Sequence, residues 1–197
     1  DGTGDARTGA LALAGRDALC YDEPDEDRDD PAAAGLPPLS TDQAFTRLLQ
    51  RLAREEQVYA SELAAAQRVY AEPIRASALL TRSQLAALFG SLERLVPVHA
   101  ALQQRLSAAL AAAADPVVAM CDACEQLVAA GELYSSYCTA YPRATEVLAE
   151  LRGCARFCRV LAACEADPRA NGHGLAYMLA RPLQRVLHYP LLADDAL

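Results

Sequence analysis

The residues able to do chemistry are few and oddly placed. Glu56 sits on an apolar line (Phe45, Leu49, Leu52, Tyr59, Leu63, Ala66 and Tyr70) that alternates steps of four and three. A carboxylate is expensive to bury unpaired, so Glu56 either lies at the edge of that stripe in solvent or waits for a partner. Near the C-terminus Gln184-Arg185 is a polar pair in an apolar stretch, and Arg181 stands just before Pro182. His99 falls on a second apolar line and reads as a satisfied core or edge histidine rather than a ligand. Cys121 and Cys124 stand three apart, and Cys154 and Cys158 four apart. A structural zinc site needs four ligands, and neither pair has a Gly-rich knuckle, so both pairs read as small buried thiols on helices with no metal bound. No P-loop, nucleophile-elbow or zincin motif occurs, which argues against nucleotide binding or hydrolysis by the chain itself. No cofactor is expected.

Composition narrows the class further. The chain has 197 residues, 53% of them hydrophobic, with no Trp and three Phe. Ala and Leu dominate, and both are strong helix formers. All 18 basic residues are Arg, an excess read first as coding bias. Residues 1–39 carry ten acids against three Arg, whereas residues 40–197 carry sixteen acids against fifteen Arg. The second part is nearly neutral and lacks the basic stripe that general nucleic-acid binding asks for. No uninterrupted run of about 18 apolar residues occurs, so no membrane span is expected. The N-terminus lacks a signal-peptide layout, and with Asp1 rather than Met first the natural N-terminus is expected upstream. Seven Cys, an odd number with helical neighbours, suggest reduced cytosolic thiols and a cytoplasmic protein.

The positioning elements read as helices. Residues 1–39, rich in Gly, Asp, Pro and Ala, read as a disordered acidic leader. Ser40 and Gln43 form a capping-box pattern that opens a long helix, which Pro73 is expected to end or bend. Thr81 and Gln84 repeat the pattern before Leu85, Leu88, Leu92, Leu95, His99, Leu102 and Leu106, with a kink expected at Pro97. Asp115-Pro116 is an N-cap followed by Pro at the first helical position, and that helix falters near Gly131. Tyr134, Tyr137 and Tyr141 suit a helix packing aromatic groups, and Pro142 is expected to separate it from a helix through Val147, Leu148 and Leu151. Gly153 marks a break before Phe157, Val160 and Leu161, and a turn at 167–174 precedes the last helix, 175–197. That last helix holds Pro182 and Pro190 inside an apolar periodicity and is expected to bend at them. No segment alternates like a strand. The expected fold is all-α, an elongated bundle of about six long, partly kinked helices over 40–197.

The order Arg181-Pro182-Leu183-Gln184-Arg185 followed by Tyr189-Pro190-Leu191-Leu192 resembles the third conserved region of the Dbl-homology (DH, or RhoGEF) family. Residues 52–63, with Glu56 three before Tyr59, look like that family's first region; Leu88-Phe89-Gly90-Ser91-Leu92 and Tyr134 to Pro142 resemble two further stretches. The match covers 43–197 in order. The resemblance implies a guanine-nucleotide exchange factor for a Rho, Rac or Cdc-type small GTPase, regulating it without covalent chemistry. It implies that Glu56 contacts switch I and that Arg181, where the family usually has Lys, contacts switch II. Gln184 and Arg185 would support or flank the GTPase surface, and Leu183 would help choose among GTPases. Arg keeps the charge of Lys as a planar fork. The family's domain usually continues beyond the Tyr-x-Leu-Leu motif, so the domain is expected to lack its C-terminal end. A pleckstrin-homology domain usually follows, so any membrane link is expected to be indirect. The competing expectation is a non-catalytic, GTPase-binding helical scaffold.

Overall fold

The computed structural model describes residues 40–194, without the side chains of 193 and 194; the acidic leader read at 1–39 lies outside the described residues. Six helices form the described part, and it contains no strand. Helix α1 runs over residues 41–76: Thr41–Ala65, a π-helical stretch Ala66–Ala71, then Glu72–Ala76. Helix α2 is Arg82–Ala111, with a π-helical stretch Ala86–Gly90 near its start. Then follow α3 (Pro116–Ala129), α4 (Gly131–Leu151), α5 (Ala155–Glu165) and α6 (Leu175–Asp194).

The helix starts follow from their caps. Ser40 and Thr81 each accept from the backbone N–H three residues on, and Gln43 and Gln84 bond back, closing both capping boxes. Asp115 accepts from Val117 and Val118 before Pro116. Helix α2 ends in a Schellman turn: Ala114 N–H reaches Ala109 O and Ala113 N–H reaches Leu110 O, with Ala113 left-handed at φ 48°.

Pro97, Pro182 and Pro190 lie inside their helices as expected, whereas Pro73 and Pro142 do not end theirs. Pro73 does not end α1; the widened turn Ala66–Ala71 comes first, and the helix resumes with Pro73 at its N-terminal turn, where a missing N–H costs least. Pro142 lies inside α4 rather than between two helices, and Pro97 lies inside α2. Both are exposed, on faces that carry no packing, while Tyr137, Ala144, His99 and Leu95 nearby are buried. Pro182 and Pro190 both lie within α6.

Two apolar clusters make the core. One gathers Tyr59, Leu63, Tyr70, Phe89, Leu92, Leu95, Phe157 and Leu179. The other gathers Leu49, Leu52, Leu102, Leu106, Met120 and Leu192. Along α1 the boundary falls between Leu52 and Tyr59; along α2 it falls between Leu95 and Leu102. Glu56 and His99 occupy those two boundary positions. The stretch Arg82–Ala111 is long and apolar enough to cross a membrane by length and composition, although polar residues interrupt its apolar runs, so that the sequence expectation of no such segment does not hold for it. Its leucines line the core of this bundle.

Candidate functional site: the seam between α1 and α6

Glu56 is fully buried, and every oxygen is used. His99 Nδ1 donates to Oε1; Arg185 Nη2 and the Tyr189 hydroxyl donate to Oε2 from 2.9 and 3.0 Å. Burial alone would push this carboxyl up. The hydrogen bond and charge of His99, with the Arg185 guanidinium, outweigh burial and hold it below its ordinary value. An ionised Glu56 can only accept, so the Nδ1 of His99 that faces it bears a proton. His99 Nε2 then lies 2.9 Å from the Tyr134 hydroxyl, which is 3.2 Å from the Tyr59 hydroxyl. Four helices therefore meet in one polar layer: α1 through Glu56 and Tyr59, α2 through His99, α4 through Tyr134, α6 through Arg185 and Tyr189.

A ladder of charges continues this layer along the α1–α6 seam. Arg185 Nη1 donates to Glu55 Oε2 at 2.8 Å, and His188 Nε2 lies 3.0 Å from the same oxygen. Arg51 Nε pairs with Glu55 Oε1 at 3.0 Å. Arg181 Nε donates to Glu62 Oε2 at 2.6 Å and Arg181 Nη1 to Gln184 Oε1 at 3.3 Å. Glu55 and Glu62 are seven apart on α1, while Arg181 and Arg185 are four apart on α6; antiparallel helices bring 62 to 181 and 55 to 185. Burial opposes the Arg185 charge, but the surrounding Tyr189, Glu56 and Glu55 raise its pKa. The guanidinium also lies over the Tyr189 ring at 4.6 Å. Its Nε–H is the one buried side-chain polar atom without a partner among the described residues.

The expected site residues thus split by exposure. Glu56, Arg181 and Arg185 are buried and paired. Leu183 and Gln184 are half-buried, Leu183 packing against the first cluster. What the seam shows to solvent is Val58 at 54%, Leu187 at 67% and Leu191 at 56% exposure. Sequence reasoning placed Tyr189 and Leu191 in the matched motif but gave no site role to these three, nor to Glu55, Glu62, His188 and Tyr189. The i,i+7 acids on α1 opposite two Arg on α6 were the available signal. His99 is the satisfied core histidine that was expected, fully buried between Glu56 and Tyr134.

The thiols depart from expectation. Cys121, Cys124, Cys138 and Cys154 are exposed, Cys158 is half-buried and Cys164 is buried; all six are free. The CxxC pair lies on the outer face of α3 because Met120 and Ala123, its neighbours in sequence, take the inner face. No group of three or more metal-ligating side chains occurs among the described residues.

Comparison with known proteins agrees with this architecture. The RhoGEF domain family model matches residues 48–197. The Rho guanine nucleotide exchange factor TIAM2 of Mus musculus is 26% identical over 184 residues, covering 87% of this chain and 11% of that protein. Protein still life, isoform SIF type 1, of Drosophila melanogaster is 26% identical over 171 residues, covering 80% of this chain and 8% of that protein. The chain therefore spans about a tenth of these curated relatives. Among solved structures, human RhoA in complex with the DH/PH fragment of PDZRHOGEF aligns at TM-score 0.68 and 20% identity, covering 84% of this chain and 48% of that chain. The Vav1 exchange factor aligns at TM-score 0.66 and 23% identity, covering 78% of this chain and 41% of that chain. With its six-helix bundle and a family match over most of its length, this chain belongs to the RhoGEF (DH) domain family.

Proposed function

We propose that this chain is a guanine-nucleotide exchange factor that accelerates GDP release from a Rho-family small GTPase. The observation that carries the reading is the α1–α6 seam, where the two regions that resemble the family's conserved ones lock together through Glu56–Arg185 and Glu62–Arg181. The solved complex of human RhoA with a DH/PH fragment supports a Rho-type partner. Glu56, Arg181, Leu183, Gln184 and Arg185 form the proposed GTPase-binding site. Leu183 and Gln184 meet the GTPase from the seam surface, beside Val58, Leu187 and Leu191. Arg181 and Arg185 brace that surface. Glu56 reaches switch I when one of its internal donors lets go, so the seam exchanges internal pairs for pairs to the GTPase. Tighter binding to the nucleotide-free switch conformation than to the GDP-bound one lowers the barrier to GDP loss. GTP refills the site by its supply. The chain itself performs no covalent step, and the reading places it in the cytoplasm.

A second reading, a GTPase-binding scaffold without exchange, is favoured by the complete burial of Glu56. Release of a fluorescent GDP analogue from Rho, Rac and Cdc-type GTPases separates the two. Acceleration of one GTPase supports exchange. Binding without acceleration supports the scaffold.

A further inference from the structure

A groove of about 540 Å³ opens between the end of α1 and α5, away from the residues of the seam. Val69, Leu79 and Val160 line it as an apolar floor, and Leu79 is 36% exposed. Arg156 and Arg159 form one edge, both exposed, and neither makes an ion pair with a described residue. The segment 151–164 holds three Arg and no acid, in a chain whose acids outnumber its Arg by 26 to 18. The groove's acidic residue, Asp167, is already committed. Hydrogen bonds from the Arg169 side chain and backbone hold its carboxyl at about 2. Arg156 and Arg159 are therefore the groove's charges without an acidic partner among the described residues, while the ionised Asp167 is already paired with Arg169.

We propose that this groove binds a short acidic, leucine-bearing peptide segment of a partner protein. Arg156 and Arg159 are one helical turn apart, so their guanidinium forks can each take a carboxylate from neighbouring turns of one segment. An apolar side chain between those carboxylates fills the floor at Leu79 and Val160. Partial desolvation at that apolar floor strengthens the two ion pairs relative to fully exposed ones. An anionic membrane fits less well. Membrane anchoring asks for protruding apolar groups and a larger basic cluster, whereas this surface is concave with two arginines at its edge.

The test is fluorescence anisotropy of the whole chain with fluorescein-labelled nonapeptides that carry two glutamates and two leucines at varied spacing. The proposal expects saturable binding for at least one spacing. It expects roughly tenfold weakening when Arg156→Glu and Arg159→Glu are combined, and weakening as added salt screens the pairs. Arg156→Gln with Arg159→Gln, a pair of exposed neutral replacements, should weaken binding while circular dichroism stays unchanged. No saturable binding to any peptide would overturn the proposal. So would binding indifferent to both arginine pairs, or binding to phosphatidylserine vesicles in place of the peptides. None of these outcomes depends on exchange activity.

Discussion

Glu56 of α1 and His99 of α2 meet in the interior through Oε1 and Nδ1, at the level where one apolar cluster ends and the other begins. The pair is fully buried on both sides. It turns what would be a continuous apolar seam into two packed blocks with a polar layer between them. That layer fixes the register of α1 against α2, and through Arg185 and Tyr189 it fixes α6 as well. A one-turn slip of any helix would strand a buried charge.

The first consequence is for stability. Glu56→Ala removes the acceptor of three donors and leaves Arg185 with Glu55 alone. Breaking a buried pair by removing one partner costs about 3–5 kcal/mol. Glu56→Gln keeps the shape and one acceptor and should cost less. Urea unfolding followed by circular dichroism measures both; equal stability of Glu56→Ala and the wild type would contradict the polar-layer account.

Acid should weaken the fold through the same carboxyl. Its folded pKa is lowered from 4.5, so the unfolded chain binds the proton more readily. The stabilisation is present above pH 4.5 and is lost as pH falls through the lower folded pKa. Unfolding free energy measured across that window should fall more steeply for the wild type than for Glu56→Gln.

The two seam arginines should differ in their tolerance of lysine. Arg181→Lys introduces the residue the family usually carries and retains a charge for Glu62 while losing the bond to Gln184, so it should cost about 1 kcal/mol. Arg185 spans Glu55 and Glu56 with two different nitrogens while lying over Tyr189. A lysine is a point charge without that fork, so Arg185→Lys should cost about 2 kcal/mol or more. Thermal melts of the two variants rank them; the reverse order would refute the bridging role.

Ala113 holds a left-handed conformation at the end of α2 that glycine adopts without Cβ strain. Ala113→Gly should therefore stabilise the bundle by about 0.5–1 kcal/mol, read as a rise of a few degrees in Tm. A drop in Tm would show that the loss of backbone entropy outweighs the relief.

Much of this fold was legible because it is local. Ser40, Thr81 and Asp115 announce helix starts by chemistry within three residues, and the stripe from Phe45 to Tyr70 announces its buried face. Pro142 misled for a tertiary reason. Pro142 lies on the outer face of a helix held on its inner face by Tyr134, Tyr137, Val147 and Leu148, so packing carries the helix through the lost hydrogen bond. Glu56 was recognisable as anomalous, but its partner His99 lies 43 residues away on another helix, and no local spacing connects them. Exposure of the thiols depended on which side of α3 faces α1 and α2, which the weak amphipathicity of an Ala-, Val- and Cys-rich helix leaves open.

The central claim is exchange through the α1–α6 seam. Its most direct test is release of a fluorescent GDP analogue from Rho, Rac and Cdc-type GTPases, with the wild-type chain and with Glu56→Ala, Glu56→Gln and Leu187→Asp side by side. The account predicts at least about tenfold acceleration of one GTPase by the wild type, roughly 1.4 kcal/mol off the barrier. It predicts a return to the intrinsic rate for Glu56→Ala and Leu187→Asp, with Leu187→Asp, an exposed position, keeping its helical spectrum and melt. No acceleration of any GTPase by the folded wild-type chain, or full acceleration by all three variants, would contradict it.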